Sequence, residues 1–274
     1  MRSAYDYIPT AIQVVVLVII LSKLYRLSPV AKHRVEFVFY VFSVVSALLS
    51  DLYWLAFDIL YPLDRMPFAA NEVAECAIFL SFAYSIKAVT TKMQSSLPEG
   101  GSVREVSLPS KPETAGIFLF AAANTALWIG WSGEWLQDII TGVLFFYMHF
   151  QILRELKASG AMSSYAKAAL AALCIAIITL EAATFHVADP LKERLDLAAY
   201  ILLLAAGLCL IIRAYIFIFI KNDIRASIGL SFATYSWSLV FLYMSTGVFY
   251  NIANLMGAVG FFLMYLSIKR EVLS

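Results

Sequence analysis

Long apolar runs alternate with short polar clusters along the chain, and each run approaches the length that a helix needs to cross a bilayer. A spanning helix takes about 20 mostly apolar residues, because lipid offers the backbone no hydrogen-bond partners and a helix satisfies its own. A transmembrane barrel would need strands of strict apolar and polar alternation, a pattern these runs lack. The pattern predicts an all-α fold, a polytopic membrane helical bundle of about nine transmembrane helices. They fall over 8–24, 34–60, 67–89, 112–131, 133–155, 165–187, 191–219, 226–246 and 249–269. Two junctions follow from length. The stretch from Lys111 to Glu155 would run roughly 67 Å as one helix, about twice the hydrocarbon thickness, so it must turn near Trp131-Ser132-Gly133. The same reasoning puts a turn at Ser245-Thr246-Gly247.

Composition agrees with this reading. Of 274 residues, 62% are hydrophobic and only 14% charged, far too apolar for a soluble domain of this length. The first run reads as a retained span and not as a cleaved leader: Arg2 is offset by Asp6, and the positive charge follows the run at Lys23 and Arg26. Cys76, Cys174 and Cys209 all fall inside apolar segments, where a free thiol behaves as a small hydrophobe, and no disulfide framework is implied. Residues 1–274 read as a single integral membrane domain. Within it, 90–111 is rich in Ser, Pro and Gly and reads as a flexible cytoplasmic loop.

Charge then orients the bundle. With the N-terminus outside, sixteen of the twenty Lys and Arg residues fall in cytoplasmic loops, leaving only Arg2, Arg65, Lys192 and Arg194 outside. This is the positive-inside bias, and it predicts an N-out, C-in topology. A bacterial cytoplasmic membrane is the expected location. The acids run the other way: Asp6, Asp51, Asp58, Asp64, Glu72, Glu75, Glu134, Asp138, Glu181, Asp189, Glu193 and Asp196 lie in the outer half. The net charge of +1 therefore averages two strongly charged faces and carries no argument for nucleic acid.

A faint internal repeat runs through the even-numbered helices. Asp51-Leu-Tyr-Trp54, Thr125-Ala-Leu-Trp128 and Thr234-Tyr-Ser-Trp237 share a pattern, with Glu181-Ala-Ala-Thr184 as a degenerate copy. Each precedes a short outer turn and a helix that opens with polar groups, as at Glu72 and Glu75, Gln137 and Asp138, Asp196, and Asn251 and Asn254. One solitary helix plus four related hairpins is the architecture this suggests.

Intramembrane carboxylates are costly and usually face the bundle interior or a wet cavity. Asp51 lies roughly 25 Å along a helix entering from the cytoplasm, in its outer third. Glu72 and Glu75, three apart, share a helical face. Glu181, Asp138 and Asp196 come to a similar depth. The expected ligand-binding set is Asp51, Trp54, Glu72, Glu75, Trp128, Asp138, Glu181 and Asp196, an acidic, aromatic-lined vestibule open to the outside. Carboxylates attract cations and aromatic faces add cation–π contacts, so its ligand would be a proton, a metal ion or a small cationic solute. The competing reading makes Glu134, Asp189 and Glu193 solvated, the tryptophans an interfacial belt, and Asp58, Asp64 and Arg65 a local ion pair.

Other chemistries find less support. His33, His149 and His186 lie at different depths and cannot share a metal or haem, so no cofactor is implied, and His149 reads as a packed, hydrogen-bonded residue. Ser132, His186 and Asp189 could share the outer face, but sequence gives no geometry for a nucleophile, base and orienter within reach. No lysine lies in mid-membrane for a Schiff base. Gly257 and Gly260, with Ala253, Asn254 and Ala258, form a small-residue stripe suited to close packing, and Gly142 is similar. The expected function is cation binding for transport. All eight prolines lie in loops or at helix ends, which favours instead a membrane-embedded sensor or accessory subunit acting through a partner subunit. An intramembrane carboxylate- or metal-dependent hydrolase is the third reading.

Overall fold

The computed structural model describes residues 7–61, 70–95, 108–133 and 135–273. Among these the chain is all-helical, in nine helices: α1 (Ile8–Ala31), α2 (Val35–Leu60), α3 (Ala70–Ser95), α4 (Lys111–Ser132), α5 (Trp135–Ala158), α6 (Ser164–Thr184), α7 (Leu191–Phe219), α8 (Ile224–Met244) and α9 (Gly247–Leu273). All but α3 are long and apolar enough to cross a membrane, which fits an integral membrane protein. The sequence of α3 carries Glu72, Glu75, Lys87 and Lys92, and it packs against α2, α5 and α8.

The helices lie where the hydrophobic pattern puts them, with two differences of extent. α1 runs on to Ala31 and takes Pro29 inside its last turn, where the ring removes one donor from a ladder that is about to end. α3 continues to Ser95, so the stretch expected as a loop from residue 90 is helical in its first part, and residues 96–107 lie outside the described residues. Of the expected ion pair, Asp64, Arg65 and the side chain of Asp58 also lie outside them. Both length-inferred turns are present, each with a glycine at positive φ, Gly133 (75°) and Gly247 (58°), where a side chain would be strained.

After α1, consecutive helices pack as pairs, α2 on α3, α4 on α5, α6 on α7 and α8 on α9. The last pair forms the axis. α8 touches α3, α4, α5, α7 and α9, while α9 touches α1, α2 and α7, and both are largely buried, whereas α6 faces almost wholly outward. α8 passes through the centre despite its Ser and Thr hydroxyls because these are satisfied within their own helix: Ser231 donates to the Ser227 carbonyl at 2.7 Å, Thr234 to Leu230 at 2.9 Å and Ser236 to Phe232 at 2.9 Å. Small residues set the separations. A Cβ on Gly260 would stand 3.0 Å from the Tyr235 backbone, and one on Gly142 would run into the Thr125 side chain. Gly260 of the expected stripe on α9 thus lies in the seam against α8.

Candidate functional site

A cavity of about 420 Å³ opens between α1, α2, α3, α8 and α9 at the end where α1 begins. Its walls follow helical spacing on every helix that has enough lining residues to test. α2 presents Ala47, Ser50, Asp51 and Trp54; α8 presents Tyr235, Ser238, Leu239 and Leu242, both sets at i, i+3, i+4 and i+7. α1 supplies Thr10 and Gln13, and α3 supplies Glu75 and Ile78. α9 contributes Gly247, Tyr250, Asn251 and Asn254 in its first turns, where its neighbour leaves room. Among the described residues the lining holds two carboxylates and no Lys or Arg.

Asp51 and Glu75 are electrostatically coupled across this space. Gln13 hydrogen-bonds the Asp51 carboxylate. An ionised carboxylate only accepts, so the amide nitrogen faces Asp51 and the amide oxygen points away from it. That oxygen, Gln13 Oε1, is buried without a protein hydrogen-bond partner, and so is Asp51 Oδ2. A buried polar atom left unmade costs about 1–3 kcal/mol, and both of these atoms belong to side chains that line the cavity. Glu75 is held from behind: the Tyr243 hydroxyl donates to its Oε2 at 2.9 Å. Opposite, Asn254 Nδ2 donates to Thr10 Oγ1 at 3.2 Å and ties α9 to α1 across the mouth.

Below the cavity the way is closed by aromatic rings. Tyr235, itself a wall, packs on Phe82 and Phe261 with ring centroids 5.2 and 4.8 Å away, and Phe232 meets Phe82 at 4.1 Å. Tyr40 fixes this plug by donating to the Phe261 carbonyl at 2.7 Å.

Of the expected site residues, Asp51, Trp54 and Glu75 therefore line one cavity. The side chain of Glu72 lies outside the described residues. Trp128 is buried one layer back, 5.1 Å from the Tyr243 ring, and so touches the cavity only through the residue that holds Glu75. Asp138 accepts from Ser132 and ties the end of α4 to the start of α5. Glu181 and Asp196 form a separate acidic pair on α6 and α7, within electrostatic reach of each other and of Tyr200, whose hydroxyl lies 3.5 Å from Thr246 Oγ1. Asp51 and Glu75 thus share the cavity, while Asp138 and the Glu181–Asp196 pair lie at two separate positions. The reason is the central α8–α9 pair, whose turn stands between α2–α3 and α6–α7.

The four copies of the repeat do different work. Asp51 and Trp54 face the cavity, Thr125 meets Gly142, Thr184 donates to the Glu181 carbonyl, and Trp237 donates through Nε1 to the Leu203 carbonyl at 2.9 Å. His149 bonds the Phe145 carbonyl at 2.8 Å between aromatic rings, as a packed residue would. Among the described residues no three His, Cys, Asp or Glu side chains gather as metal ligands.

Sequence reasoning passed over Gln13, Tyr235 and Tyr243. Gln13 had a signal: it is the one amide in the apolar run from Ala11 to Leu21. The tyrosines had none, since fifteen occur along the chain. No protein family, curated protein or solved structure matches the chain.

Proposed function

We propose that the protein binds a cation or small cationic solute in the α1–α2–α3–α8–α9 cavity and moves it across the membrane. One observation carries the reading: Asp51 and Glu75, from different helices, face a single cavity. Two carboxylates in a site shielded from water attract a positive charge far more strongly than they would in solution. Trp54 adds an aromatic face to the same wall.

The far end of the bundle supports the orientation. There Arg34 pairs with Glu271 at 3.4 Å, Arg154 and Arg225 flank Glu155 at 2.9 and 2.7 Å, and Lys157 and Lys167 share Glu113. A basic end opposite an acidic cavity fits a bacterial cytoplasmic membrane with the N-terminus and the cavity outside, and nine spans.

A second reading, a sensor or accessory subunit, draws on one feature. From Glu75 through Tyr243 to Trp128, contacts run from the cavity wall to α4, so occupancy is linked to a helix that does not line the site.

Proteoliposome uptake of labelled putrescine and tetramethylammonium, both kept out of lipid by fixed charge, tests the proposal. Uptake of either that falls at least tenfold in Asp51→Asn and Glu75→Gln supports transport. Binding without uptake moves the protein to the sensor reading. Binding and flux unaltered by both variants, in protein that still folds, overturn the cavity as the site.

A further inference from the structure

We infer that the cavity selects an organic amine with N–H donors, a primary or secondary ammonium, over a metal ion, a proton or a quaternary ammonium. This rests on the reading of the cavity as the cation site and names the class of its ligand.

Size comes first. The cavity, about 420 Å³, lies within the range of small-molecule pockets and far exceeds the about 10–15 Å³ that one water-sized occupant requires. A bare metal ion or a proton would leave nearly all of it unfilled. A metal would also want several oxygens converging at close range, and among the described residues no such group of three acidic, His or Cys ligands exists. The walls include Ala47, Ile78, Leu239 and Leu242, which suit a hydrocarbon stem better than a hydration shell.

The acceptors then decide between kinds of organic cation. Gln13 is only 8% exposed, and its Oε1 has no protein partner. Asp51 Oδ2, from the side chain that Gln13 itself contacts, has none either. An ammonium with N–H groups donates to both. A quaternary ammonium has the charge but no donor, so on binding it would bury the amide oxygen unsatisfied, the kind of mismatch that gives polar sites their strongest discrimination. Among the described residues the lining carries no Lys or Arg to receive a carboxylate, so an amino acid with its own negative charge fits less well than a simple amine.

Isothermal titration calorimetry of the full chain in nanodiscs, at fixed ionic strength, compares n-butylammonium, tetramethylammonium and magnesium. The expected order is butylammonium tightest, with the other two weaker by about tenfold or more, the usual worth of a hydrogen bond to a charged group. Gln13→Leu should weaken butylammonium by about tenfold and leave tetramethylammonium unchanged, whereas Gln13→Glu, which keeps an acceptor in place, should retain amine binding. A melting curve for each variant separates lost contact from lost fold. Tetramethylammonium or magnesium binding as tightly as butylammonium, or amine affinity indifferent to Gln13→Leu, overturns the amine assignment while leaving a cation site. Absence of binding by all three cations overturns the cavity reading and this inference with it.

Discussion

Gly260→Ala is the smallest change that should disturb both the fold and the site. An added Cβ would lie 3.0 Å from the Cα and the amide nitrogen of Tyr235 and 3.1 Å from its Cβ. Carbon atoms in contact prefer about 3.5–4.0 Å, so α8 and α9 must part by about half an ångström or more. Neither obstacle is a flexible side-chain end that swings aside, since two are main chain. Overpacking of this kind costs about 1–3 kcal/mol. For a chain somewhat larger than 250 residues that is a fall in melting temperature of about 2–5 °C. Tyr235 is also the cavity floor and packs on Phe82 and Phe261, so the same displacement should loosen the plug and weaken cation binding. Thermal unfolding followed by near-ultraviolet circular dichroism in detergent reads the first effect, and calorimetric titration the second. Gly116→Ala is the control: it sits exposed on α4 with nothing within 4 Å, so the methyl group meets no obstacle and helix propensity improves by up to about 1 kcal/mol. A Gly260→Ala protein that melts at or above the wild type would refute the close approach of α8 and α9 on which the cavity geometry depends.

Two further changes probe the axis and the basic end. Glu155→Gln removes the carboxylate, 1% exposed, that Arg154 and Arg225 share. Breaking a fully buried pair costs about 3–5 kcal/mol, and because both guanidinium groups retain some water the expected loss is about 2 kcal/mol, measured as a lower melting temperature. A loss below about 0.5 kcal/mol would place the pairing among surface contacts of no energetic consequence. Trp237→Phe deletes the 2.9 Å hydrogen bond to the Leu203 carbonyl, and about 1–2 kcal/mol of stability should go with it. Hydrogen exchange should rise first in α7 around that carbonyl, and uniform protection there would argue against the contact.

Much of the fold is legible in the sequence because lipid imposes one rule: a spanning segment must be a long apolar helix. Length alone located the turns at Gly133 and Gly247. The assembly is less legible. Helix pairs follow from short connections, but nothing in the composition of α8 says that a helix with Ser227, Ser231, Ser236 and Ser238 runs through the centre, since polarity of that kind equally describes a helix lining water. Its hydroxyls turn inward to their own carbonyls, a choice visible only with neighbours in place. The site divides the same way. Asp51 and Glu75 stand out as intramembrane acids, and their common cavity follows from α2 packing on α3. Glu181 and Asp196 satisfy the same depth argument and belong elsewhere, because depth along a helix carries no information about which neighbour it faces.

That separation bears on how a cation bound beside Asp51 would act. The α8–α9 turn lies between the cavity and the Glu181–Asp196 pair, since Gly247 belongs to one and Thr246 meets Tyr200 on the other side. Below the cavity Tyr235, Phe82 and Phe261 close the route toward the basic end, and Tyr235 and Phe261 ride on α8 and α9 themselves. On the proposed reading, passage of a solute would take a shift of this pair relative to α2 and α3. Glu75 is the natural point of purchase, because its carboxylate faces the cavity from α3 while Tyr243 on α8 holds it. A cation that draws Glu75 toward itself pulls against that hydrogen bond, and the tension falls on the helix that carries half of the plug.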